Sequence, residues 1–207
     1  MKKLMISKLL AGTAALALPL MASASSTYTT GTTGTLTATA TVNLQVVIQR
    51  NLYLRVGTST GTTATTATTD LITFNAPLGT TGAVAGVGGD LTAGVETAAV
   101  LSNGGSTVTL VATTNTNGLS DGGGVNFIPF TQITTTAAQD TSGTVLPAPT
   151  LANGTSNTVT LTAPGTTKVI NQDAKWTYAF ANTGTYPAGT YGGTTNNGTV
   201  TYTATMP

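Results

Sequence analysis

The sequence contains no cysteine and no histidine, and only 6% of its residues are charged. Without cysteine the chain has no disulfide and no thiol nucleophile, and without both residues the common zinc and copper sites are excluded. Catalytic triads usually take their general base from histidine, so this class of catalyst is excluded as well. We therefore expect a protein that is not an enzyme and that binds no metal or other cofactor.

The few charged residues form no cluster of either sign. The chain has seven Lys and Arg residues, and three of them (Lys2, Lys3 and Lys8) lie at the N-terminus. Beyond residue 24 it has four cations and six acids, a net charge of −2. Nucleic-acid binding requires grouped Lys and Arg side chains that displace counterions from phosphates. Nucleic acid is therefore not an expected partner.

The first 24 residues have the pattern of a secretory signal. After the three lysines comes an apolar run from Leu9 to Leu20, and then Ala22-Ser23-Ala24, which has the small side chains that signal peptidase accepts. The run is short for a hydrocarbon core of about 30 Å, so we expect cleavage after Ala24 rather than a membrane anchor. No later segment has the length and apolarity of a membrane span. The signal resembles those of Gram-negative bacteria, which predicts a periplasmic, cell-surface or extracellular protein.

Threonine is the most frequent residue, at 51 of 207 positions. Its β-branched side chain favours strands over helices. A hydrophobic content of 40% with a small net charge argues against disorder. Several short strands between turn-rich segments predict an all-β fold, an Ig-like antiparallel β-sandwich with long Thr/Gly-rich loops, as one domain over residues 25–207.

The longest periodic segment covers residues 35–49. Apolar side chains occupy every even position from Leu36 to Ile48, and Thr, Asn and Gln occupy the odd ones except at Val47. This period of two is typical of a strand, although the segment is longer than the usual ~5–6 residues. The pattern leaves open whether this strand pairs within its own chain or with another copy.

Shorter strands are predicted over residues 51–56, 71–74, 95–102, 106–114, 125–133, 157–163, 175–181 and 199–205. The segments 58–69 and 134–153 are predicted to be loops, because they are rich in Thr, Ser, Gly and Pro. Trp176, Tyr178 and Phe180 alternate on one face, and since each aromatic side chain can bury about 150–250 Å², we expect them to anchor the core.

Two stretches carry a resemblance to a known family. Residues 34–42 read Gly-Thr-Leu-Thr-Ala-Thr-Ala-Thr-Val, and residues 187–191 lead into a final alternating segment at 198–204. They resemble the opening strand and the closing hairpin of archaic chaperone–usher pilins, also called spore coat protein U-like. The chain differs from that family in having no cysteine.

This resemblance implies an Ig-like subunit that donates an N-terminal strand to a neighbour. The donor would lie within residues 25–40, with Leu36, Ala38 and Ala40 as the side chains that insert. The implied partners are further copies of the same chain, forming a homopolymer, or a periplasmic chaperone. Strand addition of this kind favours a long, uncharged, alternating segment.

Two functions follow as hypotheses. The first is a secreted, non-enzymatic structural or adhesive surface protein, such as a pilin-like fibre subunit. The alternative is a monomeric exported β-sandwich that binds a glycan or another ligand. Tyr186 and Tyr191 flank a loop and are the candidate ligand surface, because exposed aromatic rings can bind sugars.

Overall fold

The computed structural model describes residues 25–58, 69–77 and 81–207. The predicted signal at residues 1–24 and nearly all of the predicted loop at 58–69 lie outside the described residues. The chain divides into two compact units, residues 1–48 and residues 49–207.

The second unit is built from short antiparallel strands. The strands are β1 (Leu52–Val56), β2 (Ile72–Thr73), β3 (Val84–Ala85), β4 (Val87–Gly88), β5 (Val95–Ser102), β6 (Thr107–Thr113), β7 (Leu119–Ser120), β8 (Phe127–Ile128), β9 (Ile133–Ala138), β10 (Val159–Thr162), β11 (Ile170–Phe180) and β12 (Thr201–Thr205). The helical structure of the described residues is one 3-10 turn, Phe130–Gln132. Within residues 25–58, 69–77 and 81–207, no helix has the length and apolarity of a membrane span.

The larger sheet is organised around β5 and β11. β5 lies between β1 and β11, so that Val100 is opposite Leu54 on one side and Gln172 on the other. β3 and β9 both pair with the C-terminal part of β11, where Phe180 is opposite Val84 and Ile133. The order is therefore β1-β5-β11, continued by β3 and β9.

The second sheet has three strands in the order β10-β6-β12. In β6, Val108 is opposite Leu161 of β10, and Leu110 is opposite Ala204 of β12. Two further pairs, β2 with β4 and β7 with β8, are short antiparallel hairpin-like contacts outside these sheets.

The core lies between the two sheets, and the prediction of an all-β sandwich is confirmed. The inward residues of β5 and β6 are fully buried, with Ala98, Val100 and Leu110 all at 0% exposure. The predicted aromatic face is confirmed too, because Trp176, Tyr178 and Phe180 of β11 are 0%, 7% and 6% exposed.

The prediction of a loop over residues 134–153 is wrong in part. Its beginning belongs to β9, which pairs with β11. Further along, Leu146 and Leu151 are buried core residues. The carbonyl oxygen of Leu146 accepts a hydrogen bond from the indole Nε1–H of Trp176 at 2.9 Å, so this segment forms part of the packed interior.

The first unit is described from residue 25 and contains no named strand in its described part. Residues 25–29 run beside 37–41, where the amide of Ser25 donates to the carbonyl of Thr41 at 3.3 Å and the Thr29 hydroxyl donates to the carbonyl of Thr37 at 3.2 Å. Apart from this single antiparallel bridge between Ser25 and Thr41, residues 35–48 pair with no described segment, so the strand predicted over residues 35–49 does not form. Period-two alternation alone does not form a strand, because the backbone also needs a partner to bond to.

Candidate functional site

Two strands of the sandwich have an unpaired edge on the same side of the core. Among the described strands, β1 pairs only with β5, and β12 pairs only with β6. In the smaller sheet, β6 lies between β10 and β12, and no described strand pairs with the outer edge of β12.

The burial of the core follows this topology. On the side of β9 and β10, the interior is closed by Leu146 and Leu151, which are 0% and 2% exposed. On the side of β1 and β12, the inward side chains are only half-buried and pack against the margin of the core. They are Leu52, Leu54, Val56, Tyr202 and Ala204. We call these five residues the open edge.

Tyr202 of the open edge is held by two contacts of its side chain. Its hydroxyl lies 2.8 Å from the hydroxyl of Tyr178, and its ring centroid lies 5.2 Å from that of Trp176. Burial raises the pKa of Tyr178 well above its usual value and that of Tyr202 to about 12. Both phenols therefore remain protonated near neutral pH, and one can donate to the other.

Three acids and one cation meet where β1 ends. Asp90 forms an ion pair with Arg55 at 3.2 Å and accepts the amide of Thr97 at 2.8 Å. Asp70 accepts the amide of Thr58 at 2.5 Å and its hydroxyl at 2.8 Å. Within the described residues, no group of three or more acidic side chains is arranged to hold a metal ion.

Glu96 is the buried member of this group, at 5% exposure. It lies on β5 at the same parity as Ala98 and Val100, so it faces the core. Burial is the main cause that raises the pKa of Glu96 to about 7; the charges of Asp70 and Asp90 add to it, and a hydrogen bond from the Asp90 amide opposes it. Sequence reasoning missed this residue, because a single Glu in an apolar strand gives no periodic signal.

The structure places the predicted donor residues in the first unit. Leu36 is 50% exposed, and Ala38 and Ala40 are exposed as well. The alternation continues beyond them with side chains that are more exposed still. Val42, Leu44, Val46 and Ile48 are 64%, 91%, 84% and 80% exposed. The sequence signal for this longer apolar row was present, since the period of two extends to Ile48.

The predicted ligand residues Tyr186 and Tyr191 are brought together. Their ring centroids are 6.4 Å apart at 62°, and Tyr186 lies 6.3 Å from Phe180. The Tyr191 hydroxyl donates to the carbonyl of Pro187 at 3.0 Å. Partial burial, with a smaller effect of the Asp121 charge, raises the pKa of Tyr191. Both rings are half-buried and continue the aromatic packing that begins at Phe180.

Two shallow cavities of about 380 and 530 Å³ lie on the second unit. The residues lining them are mostly Thr and Asn, with Gln172, Pro164 and Val169, and none of them is titratable. Neither cavity contains the open edge or the acids near Glu96. They supply hydrogen-bonding groups and no acid–base pair.

No protein-family model matches the chain, and no curated protein or solved structure matches it either. The resemblance to archaic chaperone–usher pilins stays a prediction that depends on the two quoted stretches.

Proposed function

We propose that this protein is an exported structural subunit that forms a homopolymer by strand donation. The row from Leu36 to Ile48 of one copy adds to the open edge of the next copy. The observation that carries this proposal is the pairing of two unsatisfied features in one chain. One is a long apolar row that belongs to no strand of the described residues, and the other is a pair of edge strands, β1 and β12, that each have one described ladder partner.

The two features are chemically complementary. Residues 35–48 contain no charged side chain, and the inward residues of the open edge are apolar apart from the Tyr202 hydroxyl. In strand addition, main-chain hydrogen bonds provide affinity and alternate side chains enter pockets. Full burial of a Val, Leu or Ile side chain contributes about 1.5–3 kcal/mol. Four such side chains follow one another from Val42 to Ile48.

The occupant that we favour is a second copy rather than the same chain. Leu44 is 91% exposed and Val46 is 84% exposed, so both side chains are accessible to a partner. An uncharged segment with free backbone groups associates readily with another sheet edge unless it is covered. Addition between copies would cover both the donated row and the open edge.

Deletion of the first unit tests the proposal. Residues 25–207 are expected to form polymers that electron microscopy and size-exclusion chromatography detect. Residues 49–207 are expected to be monomeric and to bind a synthetic peptide of residues 35–48. A wild-type protein that is strictly monomeric, or a deletion variant that polymerises as well as the wild type, would contradict strand donation.

A matched pair of variants separates side-chain insertion from a general effect of the segment. Leu44→Asn combined with Val46→Asn places polar groups in the apolar row and should abolish polymers. The control, Asn43→Ser combined with Gln45→Ser, changes the opposite face and should polymerise like the wild type. Equal polymerisation of the two double variants would show that the apolar row does not insert.

A further inference from the structure

The acids at the end of β1 come from three separate parts of the chain. Asp70 precedes β2, Asp90 lies in the turn after β4, and Glu96 is on β5. Among the described residues, Arg55 is the one cation in contact with this group, and it forms an ion pair with Asp90. The carboxyl pair formed by Asp70 and Glu96 therefore has no cation of its own among the described residues.

The two carboxyl groups of this pair lie close together. A Cβ atom on Gly57 would lie 2.4 Å from Asp70 Oδ2 and 2.8 Å from Glu96 Oε2, so both oxygens lie at the same face of this glycine. Two carboxylates this close repel each other when both are ionised, which favours a proton on one of them. Glu96 is the more buried of the two, so the geometry favours a proton there.

The pair connects segments that are otherwise distant in the chain. Through its other contacts, Asp70 binds the amide and the hydroxyl of Thr58. Glu96 accepts the amide of Asp90 at 3.3 Å. The neighbouring carboxyl groups of Asp70 and Glu96 thus bring the residues that follow β1, the residues that precede β2 and the turn after β4 next to strand β5.

We propose that a proton on Glu96 is a pH-sensitive latch: while it is bound, Asp70 and Thr58 stay beside β5, and its loss releases them. The charged and titratable groups near Glu96 are Asp70, Asp90, and the phenols of Tyr178 and Tyr202 from β11 and β12, and Arg55 of β1 is paired with Asp90. Loss of the proton leaves the charge of Glu96 beside those of Asp70 and Asp90, and among the described residues Arg55 is the one cation in contact with this group. Like charges this close disfavour ionisation of both groups.

The latch is a property of one copy and does not depend on polymer formation. Its position gives it a further consequence that does rest on the proposed function. β1 borders the open edge. Release of the residues after Val56 would therefore change the backbone at the end of this edge, where a donated strand would end. Ionised Glu96, facing the core, would also oppose being covered by that strand, because a buried unpaired charge is costly.

Amide hydrogen exchange in residues 49–207 tests the latch without any polymer. The exchange rate of the Thr58 amide is corrected for the intrinsic effect of pH. The corrected rate should be low at about pH 5.5 and at least about tenfold higher at about pH 8.5. Glu96→Gln keeps a hydrogen-bond donor near Asp70 and removes the titrating carboxyl group. In this variant, protection of the Thr58 amide should not vary with pH. Asp121→Asn, at an acid outside the group, should keep the wild-type response.

Two results would overturn the latch. One is protection of Thr58 that is equal at both pH values in the wild type, and the other is a Glu96→Gln variant with the wild-type pH response. If Glu96→Gln does not fold, the carboxyl carbon of Glu96 is titrated by NMR in the unchanged sequence. A midpoint shared by Glu96 and the Thr58 amide supports the latch, whereas independent midpoints contradict it.

Discussion

The phenolic oxygens of Tyr178 and Tyr202 lie 2.8 Å apart, and this bond connects strand β11 of one sheet to strand β12 of the other. Both side chains face the core, where Tyr202 also packs beside Trp176. The bond satisfies two hydroxyls that would otherwise face an apolar interior. It also fixes β12, one border of the open edge, to the larger sheet.

The first prediction concerns this bond. Tyr202→Phe should lower the free energy of unfolding by about 1–3 kcal/mol, because it leaves the buried Tyr178 hydroxyl without its partner. The double variant Tyr178→Phe with Tyr202→Phe should lose less unfolding free energy than the sum of the losses in the two single variants. Urea denaturation measures both, with Tyr28→Phe as a control at a side chain that is 90% exposed. Additive effects would show that the two hydroxyls are not coupled.

The second prediction concerns tyrosine ionisation. The pKa of Tyr202 is raised to about 12 and that of Tyr178 well above its usual value, chiefly by burial. In an alkaline titration of the folded protein, followed by tyrosinate absorbance, these two of the six tyrosines should ionise last. Tyr202→Phe should remove one late step. Simultaneous ionisation of all tyrosines in a folded protein would contradict this.

The third prediction is a pH dependence of stability that originates at Glu96. Its pKa is raised from 4.5 to about 7 in the folded state, so the folded state binds the proton more tightly than the unfolded state. This stabilisation is complete below about pH 4.5 and is lost as the pH rises through about 7. Urea denaturation should therefore give a lower free energy of unfolding at about pH 8 than at about pH 5. Glu96→Gln should flatten this slope, and an unchanged slope would exclude Glu96 as its source.

The fourth prediction compares two acids near β11. Burial alone would raise the pKa of Asp173, but hydrogen bonds from Thr141 and Ser142 outweigh it and keep the pKa below its usual value. Ser142 donates two of these hydrogen bonds, one from its amide and one from its hydroxyl, each at 2.8 Å from Asp173 Oδ1. Asp173→Asn should therefore cost about 1.5–3 kcal/mol of unfolding free energy.

The matched change is Asp140→Asn. Asp140 lies 3.1 Å from Lys175 in an ion pair that is partly exposed, and such pairs contribute about 0–1 kcal/mol. The stabilisation from Asp173 should also disappear as the pH falls through its lowered pKa, opposite to the behaviour of Glu96. If urea denaturation gives the same loss of unfolding free energy for Asp173→Asn and Asp140→Asn, the hydrogen bonds that Asp173 accepts from the segment at Thr141 do not stabilise the fold.

Much of the central fold could be predicted from the sequence, because strands buried on one face alternate regularly. β5 was predicted with its observed bounds, Val95–Ser102, and the aromatic row of β11 with its observed face. β9 could not be predicted, since its residues Ile133–Ala138 lie at a sheet margin and are mostly exposed or half-buried. Such a strand has no need for apolar alternation, and its sequence resembles that of a loop.

The open edge and the contacts of Glu96 were beyond prediction for a different reason. The half-burial of Leu54 and Tyr202 depends on which strands are neighbours, and the contact of Glu96 with Asp70 depends on how distant segments meet. Local periodicity carries neither kind of information. The donor role of Leu36, Ala38 and Ala40 stays a prediction, and the same alternation extends to Ile48.

Trp176 is the single tryptophan of the chain, is 0% exposed, and donates its indole N–H to the carbonyl of Leu146. Intrinsic fluorescence of this protein therefore reports on one point between the two sheets. Its emission in the native state should be blue-shifted and shielded from iodide or acrylamide. Any condition that separates the sheets will be visible in that one spectral band, without an added dye.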